Sequence, residues 1–343
     1  MTKSPPRLTS VELAERAGVS QPTVSRALRN DPSVAAETRE RIQAIAREMG
    51  YSLNVPASRL RTGRTQTLAL VVLAPPGGRA GDVNPFYLSL LSAISVAAAE
   101  HGYSLLVSFQ GAGGDPFFGA YEDSGLADGV IVIGSGQNRD GWAFFARLAE
   151  QGKRIAAWTG SVEGIAAVHA DNRAGGRLAT ERLIARGCSR ILFLGPSDNS
   201  LRQFGDRCVG YRAAMAAAGL AAIEVDPVAV PFGGDRESYG IAAIEWALGI
   251  GLTFDGVFAA SDLVALGAMQ RLQEAGISVP GAVPVIGFDG IRAGLYASPP
   301  LTTIEQDYDR AGDELVELML AMLDGREFTP APVPVRLLER ASA

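Results

Sequence analysis

From Thr67 onward the chain alternates between two hydrophobic periods, and few folds accept that alternation. Apolar runs at 68–73, 104–109, 129–133, 154–158, 191–195, 228–231, 256–260 and 283–288 read as short strands. Amphipathic helical stretches separate them, for example at 86–101, 172–186, 206–218, 236–248 and 263–275. Strands alternating with helices imply parallel sheets joined by right-handed crossovers. Two doubly wound subdomains facing a cleft accommodate this many strands better than one open sheet does. A hydrophobic fraction of 47% is enough to fill such a core.

Ligands of doubly wound sheets bind outside the carboxyl ends of the strands. That rule singles out Asn84-Pro85-Phe86-Tyr87 after the first strand and Asp171-Asn172 at the start of a helix. It also selects Arg202, Asp206 and Arg207 after the run at 191–195, then Ser261-Asp262 and Asp289-Gly290. Carboxylates, guanidiniums and aromatic rings converging there suit a small polar ligand such as a sugar or a base. For Asp171 and Asp262 helix capping is an equally good account. Arg207 and Asp289 have no such plain role.

The first 66 residues have a different composition. They hold 11 Lys and Arg against 6 Asp and Glu, a surplus of +5, while the rest holds 20 against 31, a balance of -11. A basic head on an acidic body points towards a polyanionic partner for the head alone. Within it Thr9 can cap a helix with Glu12 at the capping-box position, and Val11, Leu13, Ala14 and Ala17 are its apolar residues. Gly18 supplies a stop, Ser20 caps a second helix and Pro22 falls in its first turn. Val24, Ala27 and Leu28 face inward there, which leaves Gln21, Thr23, Ser25, Arg26 and Arg29 facing elsewhere. A third helix near 37–49 closes a mini-core with Ile42, Ile45, Ala46 and Met49. Two short helices joined by a tight glycine turn form a helix-turn-helix, and the polar second helix has the chemistry of base edges and phosphates. Residues 54–64 follow, polar, with Pro56, Gly63 and three arginines. On composition alone that stretch reads as a flexible linker.

The run LTSVELAERAGVSQPTVSRALRN, continued through VPASRLRTGRTQTLALVV and then DRCVGYRAAMAAAGL, GVFAASDLVALGAMQ, VPVIGFDG and SPPLTTIEQDY, resembles the lac-repressor (LacI/GalR) family of transcription regulators over nearly the whole chain. The resemblance implies a helix-turn-helix head at 1–52, a hinge helix at 53–66, and a periplasmic-binding-protein-like core at 67–343. Within the core it implies an N-subdomain at 67–166 and 302–329 and a C-subdomain at 167–301 and 330–343, with crossings near 166–170, 298–303 and 329–333. By the same resemblance Ser20, Gln21, Pro22, Thr23, Ser25 and Arg26 enter the major groove, while Thr9, Thr38, Tyr51 and Asn54 touch phosphates or orient the head. Asn54 would cap the hinge helix, Leu60 would wedge into the minor groove with Ala57 packed nearby, and Arg59, Arg61 and Arg64 would meet phosphates. Arg207 and Asp289 would contact the effector, with Phe86 and Tyr87 on one wall and Ser261 where the family often has Asn. Two departures stand out: Ser10 and Glu12 flank Val11 where the family usually has Asp before a Val-Ala pair, and Leu53 replaces a proline.

The expected function is therefore a ligand-responsive regulator of transcription, a repressor, bound as a homodimer to a near-palindromic operator. No enzyme motif accompanies it: there is no GxSxG, P-loop, HExxH or strand-anchored GxGxxG. Two cysteines, Cys188 and Cys208, and two histidines argue against a disulfide framework and against metal chemistry, so no cofactor and no metal are expected. Met1 to Arg7 has no apolar core of a secretory signal and no apolar run is long enough to span a bilayer, so no membrane role and a cytoplasmic location are expected. A ligand-independent architectural DNA-binding protein is the main alternative. A solute-binding protein of transport fits less well, because of the basic head.

Overall fold

The computed structural model describes residues 9–28, 31–51, 64–75, 83–111, 117–159, 162–197, 201–233 and 235–343. Arg29, Asn54, Ala57, Leu60 and the rest of the expected hinge helix lie outside them. The chain divides into two units, Met1–Thr65 and Gln66–Ala343.

The first unit contains α1 (Ser10–Ala17), α2 (Gln21–Ala27) and α3 (Ala36–Glu48). The capping box forms as expected: the Glu12 backbone N–H donates to Thr9 Oγ1 at 3.3 Å, and the Thr9 N–H donates to the Glu12 carboxylate at 2.6 Å. Gly18 ends α1 at φ +63°, a left-handed conformation that a β-carbon would strain. Ser20 caps α2 by accepting from the Thr23 N–H. Leu13, Ala14, Ala17, Val24, Ala27, Ile42 and Ala46 bury themselves between the three helices, with Val34 closing the end. Val11 is left half exposed, so the inner face of α1 is narrower than its apolar residues suggest.

The second unit carries two sheets. Its elements run β1 (Thr67–Leu73), α4 (Pro85–Glu100), β2 (Ser104–Gln110), β3 (Gly129–Gly134), α5 (Arg139–Glu150), β4 (Ile155–Trp158), β5 (Ala166–Val168), α6 (Asn172–Ala185), β6 (Ile191–Leu194) and α7 (Arg202–Ala217). They continue through β7 (Ile223–Glu224), α8 (Arg236–Gly249), β8 (Gly256–Ala259), α9 (Asp262–Glu274), β9 (Val285–Asp289), β10 (Thr302–Gln306), α10 (Tyr308–Asp324) and β11 (Val335–Leu338). The first sheet is ordered β2-β1-β3-β4-β5 and the second β11-β10-β9-β8-β6-β7. All pairs are parallel except β10–β11. Both sheets share one winding, with the order reversing beside β1 and beside β6, and each reversal opens a crevice at the strands' carboxyl ends. Strands β1, β3, β6 and β8 are buried along their whole length, as helices on both faces require.

Three sequence expectations need correction. Residues 228–231 are not a strand: Val228 is 88% exposed, and its N–H donates to Asp226 Oδ1, an aspartate-anchored turn with Pro227 at its centre. The short strand of that region is β7, just upstream. Second, the segments expected to cross between subdomains at 166–170 and 298–303 end or begin in strands. Ala166–Val168 pairs with β4 in the first sheet, and Thr302–Gln306 pairs with β9 in the second. Third, residues 302–306 therefore belong to the second sheet rather than to the N-subdomain. The chain passes from one lobe to the other at Asp307, and α10 then packs its Leu315, Val316 and Met319 into the core of the first sheet. At the first crossing Asp171 N–H donates to Val333 O and Val333 N–H to His169 O, so the two strands of the joint lie side by side.

Candidate functional site

In the first unit Gln21, Pro22 and Arg26 are exposed on α2, with Thr23 and Ser25 partly so. Gln21 with Ser25 and Pro22 with Arg26 stand four positions apart, two adjacent rows on one side of the helix, opposite Val24 and Ala27. Gln21 Nε2 donates to Ser10 Oγ at 2.7 Å, which ties the start of α2 to the start of α1. Ser20 and Thr23 spend their hydroxyls on the cap, 2.8 Å apart. Thr38 and Tyr51 are half-buried, and Tyr51 packs against the core.

The second unit gathers its polar chemistry at one place, the carboxyl ends of both sheets. Asp289 ends β9, and only 3% of its surface is exposed. Its Oδ1 accepts from Gln306 Nε2 at 2.9 Å and from the Arg207 guanidinium at 3.3 Å. Its Oδ2 accepts from Asn84 Nδ2 at 3.1 Å and faces the Arg236 guanidinium at 3.7 Å. Asn84 opens α4 in the first lobe, so its bond to Asp289 spans the cleft. Arg207 is equally committed: Nε donates to Asn172 Oδ1 at 2.9 Å, a terminal nitrogen donates to Ala260 O, and the plane lies 3.6 Å from the centre of the Phe288 ring. Burial lowers the Arg207 pKa to about 10, with Asp289 opposing that shift and Arg236 adding to it.

Close helix packing aims Arg207. A β-carbon on Gly176 would sit 2.1 Å from Arg207 O, and one on Gly210 would sit 2.1 Å from Arg173 O. Only glycines let α6 and α7 approach this closely, and that approach brings Asn172 beneath the guanidinium. Asp289 itself adopts φ +120°, a backbone conformation rare for a residue with a side chain. Its carbonyl accepts from the Tyr308 hydroxyl. The turn after it is clamped from below: Asp262 accepts from Ile291 N–H at 2.8 Å and from the Thr303 hydroxyl at 2.5 Å, and Thr303 Oγ1 also accepts from Gly290 N–H at 3.3 Å.

The cavity that remains is about 20 Å³, room for about one water. Phe86 and Tyr87 line it as expected, as do Arg207 and Asp289. Phe86 packs at a tilt against Trp158 at 5.9 Å and Tyr308 at 5.5 Å between ring centres, which makes one wall aromatic. Ser261 and Asp262 are not on the wall. Ser261 is fully buried and caps α9 through the Val264 N–H, and Asp262 is the clamp just described. Burial, with the Asp289 charge behind it, pushes the Asp262 pKa up to about 7.

Sequence reasoning missed Arg236, Gln306, Trp158, His169 and Phe204, all of which line the cavity. The same strand-end rule reaches Arg236, the first residue of the helix after β7, once every such helix start is considered. Gln306 escaped because its strand was read as a crossing.

Among the described residues no helix is long and apolar enough to cross a membrane, and no cluster of His, Cys, Asp and Glu could hold a metal ion.

Comparison with known proteins adds two family matches. Residues 11–54 match the model of bacterial regulatory proteins of the lacI family, and residues 180–343 match a periplasmic binding protein-like domain. The HTH-type transcriptional regulator CelR of Thermobifida fusca is 31% identical over 331 residues, 94% of each chain. The ribose operon repressor of Escherichia coli K12 is 29% identical over 98% of this chain and 99% of its own. Among solved structures, the CelR–cellobiose complex superposes with a TM-score of 0.64 at 28% identity, covering 98% of this chain and 100% of the other.

Proposed function

The chain belongs to the lacI family of bacterial regulatory proteins and is a DNA-binding regulator of transcription, and on that footing we propose that it is a repressor whose grip on an operator is set by a small sugar or sugar derivative in the Asp289 cleft. One observation carries the reading: Asp289 and Arg207 are buried against each other beneath an aromatic wall, with Asn84 reaching across from the other lobe. A carboxylate and a guanidinium bind sugar hydroxyls, and aromatic faces cover the apolar side of a sugar ring. The related structure solved with cellobiose and the repressor of a ribose operon support a carbohydrate ligand.

The cavity is too small for any sugar while its walls touch, so entry parts the lobes. A bound sugar then takes over the position at Asp289 that Asn84 fills in the closed form. The ligand thereby changes the closure of the lobes, and closure sets the spacing at which paired heads meet DNA. Such coupling is worth about 1–3 kcal/mol, or roughly 5–150-fold in operator affinity. A sugar with equal affinity for both closures would change nothing. The protein works as a homodimer in the cytoplasm, each head taking one half-site. Leu88 and Val96 of α4 and Val107 and Phe109 of β2 are exposed apolar residues that suit a partner subunit.

The test is selection of genomic fragments on the purified full chain, followed by anisotropy titrations with neutral hexoses, pentoses and disaccharides. The expected result is one or a few enriched palindromic sites whose affinity a sugar changes at least fivefold. Equal affinity for all fragments, with and without sugars, would overturn the proposal.

A further inference from the structure

We propose that the effector carries a negative charge: it is a sugar bearing a carboxylate or a phosphate, and Arg236 meets that group. The inference rests on the reading that the cleft binds a carbohydrate.

The cleft is over-supplied with positive charge. Among the described lining residues, Arg207 and Arg236 face a single carboxylate, Asp289. His169 lines the same cavity with Nδ1 against Ala170 O and brings no negative charge to it. The nearby acid Asp262 lies under the floor, bonded to Thr303 and Ile291 N–H, and offers nothing to a ligand. Of the two guanidiniums, Arg207 is the more committed to protein: Nε donates to Asn172, one terminal nitrogen to Ala260 O and Asp289, and the group lies over the Phe288 ring. Arg236 differs. It stands 3.7 Å from Asp289, beyond hydrogen-bond range, on a carboxylate that already accepts from three closer donors. It lies 5.2 Å from the Phe204 ring and interacts with the Tyr87 hydroxyl, and its side chain, which lines the cavity, is 18% exposed.

A guanidinium has five donors in a fixed fork that matches a carboxylate or a phosphate in two-point contact. Here that fork is mostly sheltered, rests near an aromatic ring, and stands outside hydrogen-bond range of a carboxylate that already accepts three bonds. Burying unpaired charge is costly, so closure around a neutral sugar would leave the excess uncompensated, and closure around an anion would neutralise it. An acid group at Arg236 also leaves Asp289 for the ring hydroxyls. The two ends of the ligand are thereby distinguished.

Isothermal titration on the full chain tests this at matched ionic strength. The probes are D-glucuronate, D-galacturonate, D-gluconate and D-glucose 6-phosphate, set against D-glucose and D-galactose. At least one anion should bind tenfold or more tightly than its neutral parent. Whether a carboxylate or the phosphate gives the larger ratio identifies which group Arg236 holds. Arg236→Gln should collapse that ratio towards one, and Arg236→Lys should keep part of it, with circular dichroism confirming the fold of both. A neutral sugar that binds as tightly as its acid overturns the charge assignment and leaves the carbohydrate reading standing. So does an R236Q protein that loses acid and neutral parent in equal measure, because Arg236 would then only brace Asp289. Failure of every sugar, charged or neutral, to bind overturns both.

Discussion

The head and the body place their chemistry at opposite depths. In the head the side chains expected at DNA stand outside: Gln21, Pro22 and Arg26 are exposed, and a small core of Leu13, Ala14, Val24, Ala27 and Ile42 lies beneath them. In the body the groups expected at the ligand are the interior. Arg207 and Asp289 are 4% and 3% exposed, bonded to each other and to neighbours on both lobes. A solvated reading surface can be rewritten without touching the fold beneath it. A buried polar network cannot, since each member satisfies another.

That contrast is broken most directly at Asp289. Asp289→Ala leaves Arg207 buried without its anion, and the expected cost to the body is about 3–5 kcal/mol, read in urea, together with loss of the ligand response. Asp289→Ala at no cost in stability would show that ligand groups in the body are as separable from the fold as those in the head. Next in size is Leu13→Ala, at about 2–5 kcal/mol for a fully buried leucine. A domain this small rarely has more than about 3–5 kcal/mol in reserve. Calorimetry should therefore show the head unfolded at room temperature while the transition of the body stays in place. One shared, shifted transition would mean that the two units fold as one.

A smaller effect sharpens the picture of the body. The Asp262 carboxyl is pushed up to about 7 from an ordinary value near 3.8, chiefly by burial and then by Asp289. Its other neighbours are Thr303, the Ile291 N–H and Arg340. The folded state thus holds a proton that the unfolded chain releases near pH 4. Stability from this group is complete below that pH, falls at up to about 1.4 kcal/mol per pH unit as pH rises to about 7, and is flat above. Asp262→Asn removes the slope. The melting temperature of the variant minus that of the natural protein should therefore increase between pH 4 and 7. A difference that does not move with pH would place Asp262 in an ordinary ionised clamp.

The same contrast governs what the sequence made legible. The head reads almost residue by residue, because its signals are local: Thr9 with Glu12, Gly18, Ser20 with Pro22 are each decided within four positions. In the body the periodic strands and the strand-end rule found Arg207 and Asp289. What they could not supply was depth. Nothing within ten residues of Asp262 reveals that Thr303 and Ile291 N–H absorb both of its oxygens, a pairing made 29 and 41 positions away. The short strands β5, β7 and β10 failed for a related reason. Thr302–Gln306 is short and half polar, without the apolar run of a buried strand, and its pairing with β9 makes it a strand and turns Gln306 towards Asp289.

The smallest effect on stability belongs to the head. Arg26 is exposed on the last turn of α2, one turn on from Pro22 and on the same side. No buried group depends on it, so Arg26→Ala should change the stability of the head by less than about 0.5 kcal/mol. Its effect falls on DNA. A long guanidinium projecting from a helix that lies in the major groove can take the O6 and N7 of a guanine in two-point contact, which is worth about 1–3 kcal/mol of discrimination. The variant should therefore lose affinity for the selected site and lose preference at one base pair of each half-site, while binding to unrelated duplexes falls little. Uniform weakening across all sequences, with the salt dependence reduced by about one counterion, would instead place Arg26 on a phosphate. In either case the ligand affinity of the body should stay constant, because only a separable surface allows recognition to change while the interior is unaffected.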